Sequence, residues 1–418
     1  MPSDKPDGAL AVARAMIADG RAATGLAAAI LLAFPTVGLL AKHGMSAMAI
    51  ALSLLLTALA LAARRAPWPG WTLVAPALGL LGLHLLALLV APACPPCAER
   101  WPQAAGAVVV LLPLAAGGLA VCAGVDRGRV GRFLAAGVLI AIAVAAIELG
   151  FDAPIYRFLD GRDPEEFVSL SRFNRGLVAL VLLAVVAAGW LWCRRHRAAG
   201  AGVIVAAGAA AAMGDSLTAQ LCVLLAALAL AVSVVSERLV RVALIAAVGV
   251  QLAAAPWVAP VAYDWVEARG LQLEPAIRHR LELWDHGAAL ARERPWTGWG
   301  IDAFEHRPIA PERLARAQFM TKPEPHPHNA GLQLWIETGI IGVLLAIGFL
   351  IATAWRIGRM PPERRPWATA LAAAALAPGL VSFGIWQTTY LAMVAVAAFA
   401  IALLSARRSG EDEGKDPA

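Results

Sequence analysis

In the stretch EPHPHNAGLQLWIETGIIGVLL, Glu324 to Leu345, two histidines and an asparagine stand directly ahead of a long apolar run. Pro327 holds the His-Pro-His triplet extended, so His326 and His328 point to roughly the same side. Asn329 is placed to cap the helix that the apolar run predicts. A helix N-terminus offers free N–H groups and a positive dipole end, which favour an anion and disfavour imidazolium. The pair therefore reads as a neutral ring able to accept a proton beside a phosphate-like group. Histidines at i and i+2 can also chelate, but no carboxylate or cysteine falls at a recognisable ligand spacing and Glu324 alone is thin support, so no metal is expected.

A second group of reactive types lies just upstream, in AIRHRLELWDHGAALARERPWTGWG. Ile277, Leu281, Trp284, Ala288 and Ala291 step by four and three, which predicts a helix over about 276–292 with one apolar face, stopped by Pro295, Gly298 and Gly300. Such a helix is expected to lie along a membrane surface. Arg280 stands one turn before Trp284 on the same side, at the height of a lipid phosphate.

The elements that must position these residues follow from composition. The chain has 418 residues, 60% hydrophobic and 15% charged, with a mean hydropathy of +0.69, far from the range of soluble domains. Apolar runs predict spans near 22–41, 46–63, 71–91, 104–123, 132–150, 173–193, 199–214, 217–235, 239–256, 330–354, 367–384 and 386–404, about twelve in all. The opening residues MPSDKPDG lack the layout of a cleavable signal peptide, so the first apolar segment is expected to stay as an anchor. With the N-terminus inside, arginines collect in the inner connections: Arg64 and Arg65; Arg127, Arg129 and Arg132; Arg194, Arg195 and Arg197; Arg238 and Arg241; Arg356, Arg359, Arg364 and Arg365; Arg407 and Arg408. The net charge of +6 is thus a matter of topology and calls for no nucleic acid.

Two outside segments are long, 151–172 and 257–329. The second holds five of the eight histidines, His279, His286, His306, His326 and His328, and long loops are where function collects. The expected organisation is an N-terminal bundle of about nine spans over 1–256, the large outside loop over 257–329, three last spans over 330–404, and a disordered acidic tail over 405–418.

The residues resemble those of the O-antigen ligase and polymerase superfamily of bacterial envelope enzymes, which includes related protein O-oligosaccharyltransferases. RLELW followed by ERPWTGWGIDAF is similar to the family's Arg-x-x-x-Trp, Pro and Gly-x-Gly pattern. HPHNAGLQLWIETGIIG is similar to its His-Asn-x-x-Leu-Gln and Glu-x-Gly pattern. The resemblance implies an all-α, polytopic, GT-C-like glycosyltransferase without a metal or other cofactor. Its donor would be an undecaprenyl diphosphate-linked glycan, its acceptor lipid A-core, a growing glycan or a protein hydroxyl. It would sit in the bacterial inner membrane with both termini cytoplasmic and its site periplasmic, among membrane lipids. Ligase is the first reading and polymerase the second; a lipid-glycan transporter or flippase, with the histidines as a proton-linked gate, is the alternative from another class.

On the same resemblance His328 orients or deprotonates the acceptor and Arg280 holds the leaving diphosphate. Many relatives carry a Ser-Arg pair where this chain has GDSLTAQL, Gly214 to Leu221, so a second phosphate-binding arginine must come from Arg172, Arg175 or Arg278. His326, Asn329, Trp284 and Glu337 complete the expected substrate-binding set. Each has a plainer reading: Asn329 as a helix cap, Trp284 as an interfacial anchor, Arg280 as a snorkelling side chain, His326 as loop, and Glu337 as a buried carboxylate bracing an arginine. Cys94 and Cys97 read as a local disulfide or two idle thiols, and Cys122, Cys193 and Cys222 as small apolar fillers.

Overall fold

The computed structural model describes residues 20–41, 43–62, 124–163 and 165–405. The expected spans near 71–91 and 104–123, Cys94, Cys97 and Cys122, and the acidic tail from 406 lie outside the described residues. Within them the helices, numbered in order, are α1 (Arg21–Leu40), α2 (Gly44–Ala62), α3 (Arg127–Gly150), α4 (Pro154–Asp160), α5 (Asn174–Cys193), α6 (Arg197–Met213), α7 (Leu217–Ala268), α8 (Pro275–Glu293), α9 (Ala303–His306), α10 (Pro311–Arg316), α11 (Ala330–Gly358), α12 (Arg365–Val381) and α13 (Thr388–Ser405). Among the described residues no strand occurs, and seven helical segments are long and apolar enough to cross a membrane. The protein is an all-α polytopic membrane protein. α6, the expected seventh span, has 17 residues and falls short of that length.

α5 is the central helix, because its small and β-branched residues are buried on every side along 176–189. Glycine lets its neighbours come close: a Cβ on Gly176 would stand 2.6 Å from the carbonyl oxygen of Gly38 in α1. In lipid such small-residue crossings replace the hydrophobic drive that water supplies elsewhere. The connections at one end of the bundle carry Arg127 to Arg132, Arg194 to Arg197, Arg238, Arg241 and Arg356 to Arg365. The heads of α5, α11 and α13 and the tails of α7 and α12 meet at the other end.

α7 joins two expected spans across one non-helical residue, Ser236, whose hydroxyl accepts from the Leu239 N–H at 3.2 Å. Its second half continues to Ala268, twelve residues beyond the expected end at 256. Pro256 and Pro260 lie inside it, and a proline leaves the carbonyl four residues earlier without its helical donor. The structure uses both vacated carbonyls. Leu252 accepts from the Trp335 indole at 2.9 Å, and Pro256 accepts from Arg292. The two prolines thus dock α11 and α8 onto α7 instead of ending it.

α11 is broken at Gly339 (φ 63°, ψ −160°). A break at membrane depth is tolerated where protein supplies the lost hydrogen bonds. Here the segment after α8 does so: Trp299 N–H donates to Ile336 O at 2.7 Å, Gly300 N–H to Glu337 O at 3.0 Å, and Ile340 N–H to Pro295 O at 2.8 Å. Gly298 (φ 69°) is required at the crossing, since a Cβ there would lie 2.5 Å from backbone atoms of Glu337 and Thr338. Gly298→Ala is therefore expected to destabilise the protein by about 2 kcal/mol or more, because neither backbone can retreat. Gly202→Ala, with open space around it in α6, is the control. Melting followed by size-exclusion in detergent should drop for the first and hold for the second.

Candidate active site

The His-Pro-His segment is fastened from three directions. The Trp284 indole of α8 donates to Pro327 O at 2.9 Å. The other end of the same peptide unit, His328 N–H, donates to His326 Nδ1 at 3.3 Å. His328 itself has φ 54°, a left-handed conformation uncommon outside glycine, though histidine takes it more readily than most residues. Its Nδ1 lies against the Ser382 carbonyl oxygen, which can only accept, so Nδ1 carries the ring proton and Nε2 keeps a free lone pair. Asn329 caps α11 and cross-links it: its Oδ1 accepts from Leu332 N–H at 3.1 Å and from the Gln251 amide at 2.9 Å. Both contacts are those of a cap and brace.

A cavity of about 340 Å³ opens beside the rings. Ser171, Arg172, Asn174 and Arg175 line it from the head of α5, His326 and His328 from the loop, and Ser382, Phe383 and Gln387 from the α12–α13 turn. The Arg172 guanidinium stacks 3.0 Å from the Tyr156 ring centroid. Arg172 and Arg175 are exposed, Arg280 is half-buried, and among the described residues none of the three has a carboxylate ion-pair partner. Burial holds His328 below the usual histidine range, and the nearby Arg280 adds to that. Burial likewise pushes His326 down to about 3, with His328 and Arg175 both opposing a further positive charge. The cavity therefore joins a neutral proton acceptor to a cationic wall.

Residues 167–347 match the family model described as O-antigen ligase. Over these residues the chain is similar to the O-antigen ligase family. Among curated proteins none matches the chain significantly. The matched segment starts just ahead of Arg172 and ends just past the break in α11, so it includes both cavity arginines, α8, the two histidines and Glu337. Ser382 and Gln387 lie beyond it.

Arg278 is not brought to the cavity. It is buried and paired with Glu282, at 3.2 Å, and with Glu267 on the end of α7. The reason is the extra length of α7, which carries Glu267 to it. The helix that holds Arg280 and Trp284 does not merely lie on a surface either: residues 285–288 of α8 are buried consecutively, enclosed between α7 and α11. Glu337 is fully buried, as a carboxylate in a span must be if it is to be satisfied by protein. Among the described residues its partners are no arginine but the Trp386 indole, the Gln333 amide at 3.0 Å and the Asp302 N–H at 3.3 Å.

Several supports were not legible as functional residues. Glu282 accepts from the N–H groups of Gln318, Phe319 and Met320 at 2.8, 3.0 and 2.8 Å, which fixes the strand of loop leading to the histidines. The signal available for it was a carboxylate on the buried side of α8, four residues after an arginine. Gln333 accepts from Ile385 N–H at 3.0 Å. Together with the Glu337–Trp386 bond it anchors the turn that presents Ser382 and Gln387, so the Leu-Gln and Glu-x-Gly positions of the motif act on the histidines through that turn.

Proposed function

We propose that the protein transfers glycan from undecaprenyl diphosphate to lipid A-core at the periplasmic face of the bacterial inner membrane. The O-antigen ligase family that residues 167–347 match implies lipid-linked glycans and acceptors in general. The observation that carries the finer reading is the meeting of a neutral His328, whose Nε2 is left as the acceptor, with Arg172 and Arg175, which have no carboxylate ion-pair partner among the described residues. An acceptor hydroxyl would lose its proton to His328 Nε2 as its oxygen forms the bond to the anomeric carbon. The bond from that carbon to the diphosphate oxygen would break in line, with inversion, and the electron pair would leave with undecaprenyl diphosphate. Arg280, Arg172 and Arg175 would stabilise the charge gathered there, as fixed cations do for a leaving phosphate. The crowding of arginines at the far end of the bundle supports a cytoplasmic assignment for that end and a periplasmic one for the cavity.

The test is reconstitution in proteoliposomes with defined lipid-linked donor and, separately, lipid A-core, a second lipid-linked glycan, or a protein acceptor. Glycosylated lipid A-core, formed equally with and without a chelator, is expected. Product with the glycan acceptor alone would make it a polymerase, and donor translocation without a new glycosidic bond a transporter. Loss on chelation with rescue by a divalent ion would move the charge stabilisation from arginine to metal.

A further inference from the structure

Gln387, in the turn between α12 and α13 and outside the matched segment, lies with its amide 2.8 Å from His326 Nε2. His326 Nδ1 is already an acceptor, for the His328 N–H. A neutral imidazole has one proton, so that proton is on Nε2; the Gln387 amide, placed with its nitrogen toward the ring and its oxygen without a partner, is then turned end for end so that the isosteric carbonyl oxygen accepts it. The consequence runs through one peptide unit. Trp284 holds its carbonyl, at Pro327, and His326 holds its N–H, at His328, so the plane is clamped at both ends. That plane sets the left-handed φ of His328 and hence where its Nε2 points. Gly384 makes room for the arrangement, since a Cβ there would stand 2.9 Å from His326 Cδ2.

We infer that Gln387 is a positioning residue: by accepting from His326 Nε2 it fixes the tautomer whose Nδ1 latches the Pro327–His328 peptide, and so holds His328 in its working orientation. The inference rests on His328 as the proton acceptor. If the proton moved to Nδ1, two N–H groups would face each other and the peptide would lose its latch. Among the described residues the charged or titratable groups facing His326 are Arg175 from the head of α5 and His328, and neither offers Nε2 an acceptor that could replace the amide.

The test uses the full chain in detergent, with nitrogen NMR of labelled histidine and steady-state kinetics on the lipid-linked donor. In the wild type His326 should show its proton on Nε2, and in Gln387→Leu that preference should be lost. A wild-type ring protonated on Nδ1, or an unchanged tautomer in the leucine variant, overturns the latch whether or not His328 is the base. In the kinetics, Gln387→Leu should lower kcat about tenfold or more, the cost of a small misplacement, while KM for the donor moves little. Gln387→Glu keeps an acceptor and should recover much of that loss at high pH. Its negative charge also favours a doubly protonated His326, so its rate should fall off at a higher pH than the wild type's. A glutamate profile superimposed on the wild type, or a leucine variant with normal kcat, would defeat the proposal.

Discussion

Replacing His328 by alanine should lower transfer by about 10²- to 10⁴-fold, the usual worth of a positioned general base, while the protein still folds and inserts. Alanine alone is an ambiguous probe, because position 328 is left-handed and the side chain also touches Ser382 O. His328→Asn separates the two effects: asparagine tolerates the left-handed region but cannot take a proton. Both variants should be equally poor. An asparagine variant near wild-type rate would leave His328 as a shaped loop residue. The pH profile supplies a second check with a definite sign. The neutral ring is the active form and burial depresses its affinity for a proton, so activity should persist as pH falls through about 6.5 and fail only below it. Initial rates measured across that range, with half-maximal activity at or above 6.5, would contradict the buried, neutral base.

The parts of this site that the sequence displayed are those whose chemistry is unusual for their surroundings. Two histidines before an apolar helix, an arginine one turn from a tryptophan and a carboxylate within a span stand out because each is costly or purposeless unless it has a task. The absence of an arginine near Ser216 directed attention to Arg172 and Arg175, and both line the cavity. Arg278 read equally well from the sequence, because nothing local distinguishes it from Arg280. The difference is tertiary: Glu267 reaches Arg278 only because α7 runs on through two prolines that ordinarily signal a stop.

Trp284 was ambiguous for a related reason. An indole near an apolar–polar boundary serves lipid or protein equally well, and only the position of Pro327 decides that its N–H faces inward. The α12–α13 turn was the least visible part. SFGIWQ, Ser382 to Gln387, carries no charge and separates two apolar runs, yet one of its carbonyls sets the tautomer of His328 and its amide meets His326. Backbone groups leave no mark on a sequence. The Gly-x-Gly and Glu-x-Gly patterns were legible as motifs, but their reason appears only when Gly298 and the break at Gly339 are seen to cross backbone against backbone.

Arg280→Lys separates a phosphate clamp from a snorkelling side chain. The turn geometry of α8 constrains the choice, because Trp284, four residues on, is tied to Pro327 and therefore sets which side of the helix faces the histidines. Arg280 lies on that side, near enough to oppose protonation of His328, and among the described residues it has no carboxylate to answer. A guanidinium can hold a diphosphate through two parallel hydrogen bonds, whereas an ammonium is a point charge on a flexible stem. If Arg280 takes up charge as the diphosphate leaves, the lysine variant should lose turnover by about a hundredfold or more, and alanine more still. Lysine keeps the charge, so a loss on that scale reports the fork and not the field. A snorkelling arginine makes the opposite demand, since lysine covers apolar surface and reaches the interface about equally well. Initial rates in proteoliposomes for wild type, Arg280→Lys and Arg280→Ala at matched protein levels decide the matter. Equal rates for arginine and lysine would return Arg280 to the interface and leave Arg172 and Arg175 as the diphosphate's partners.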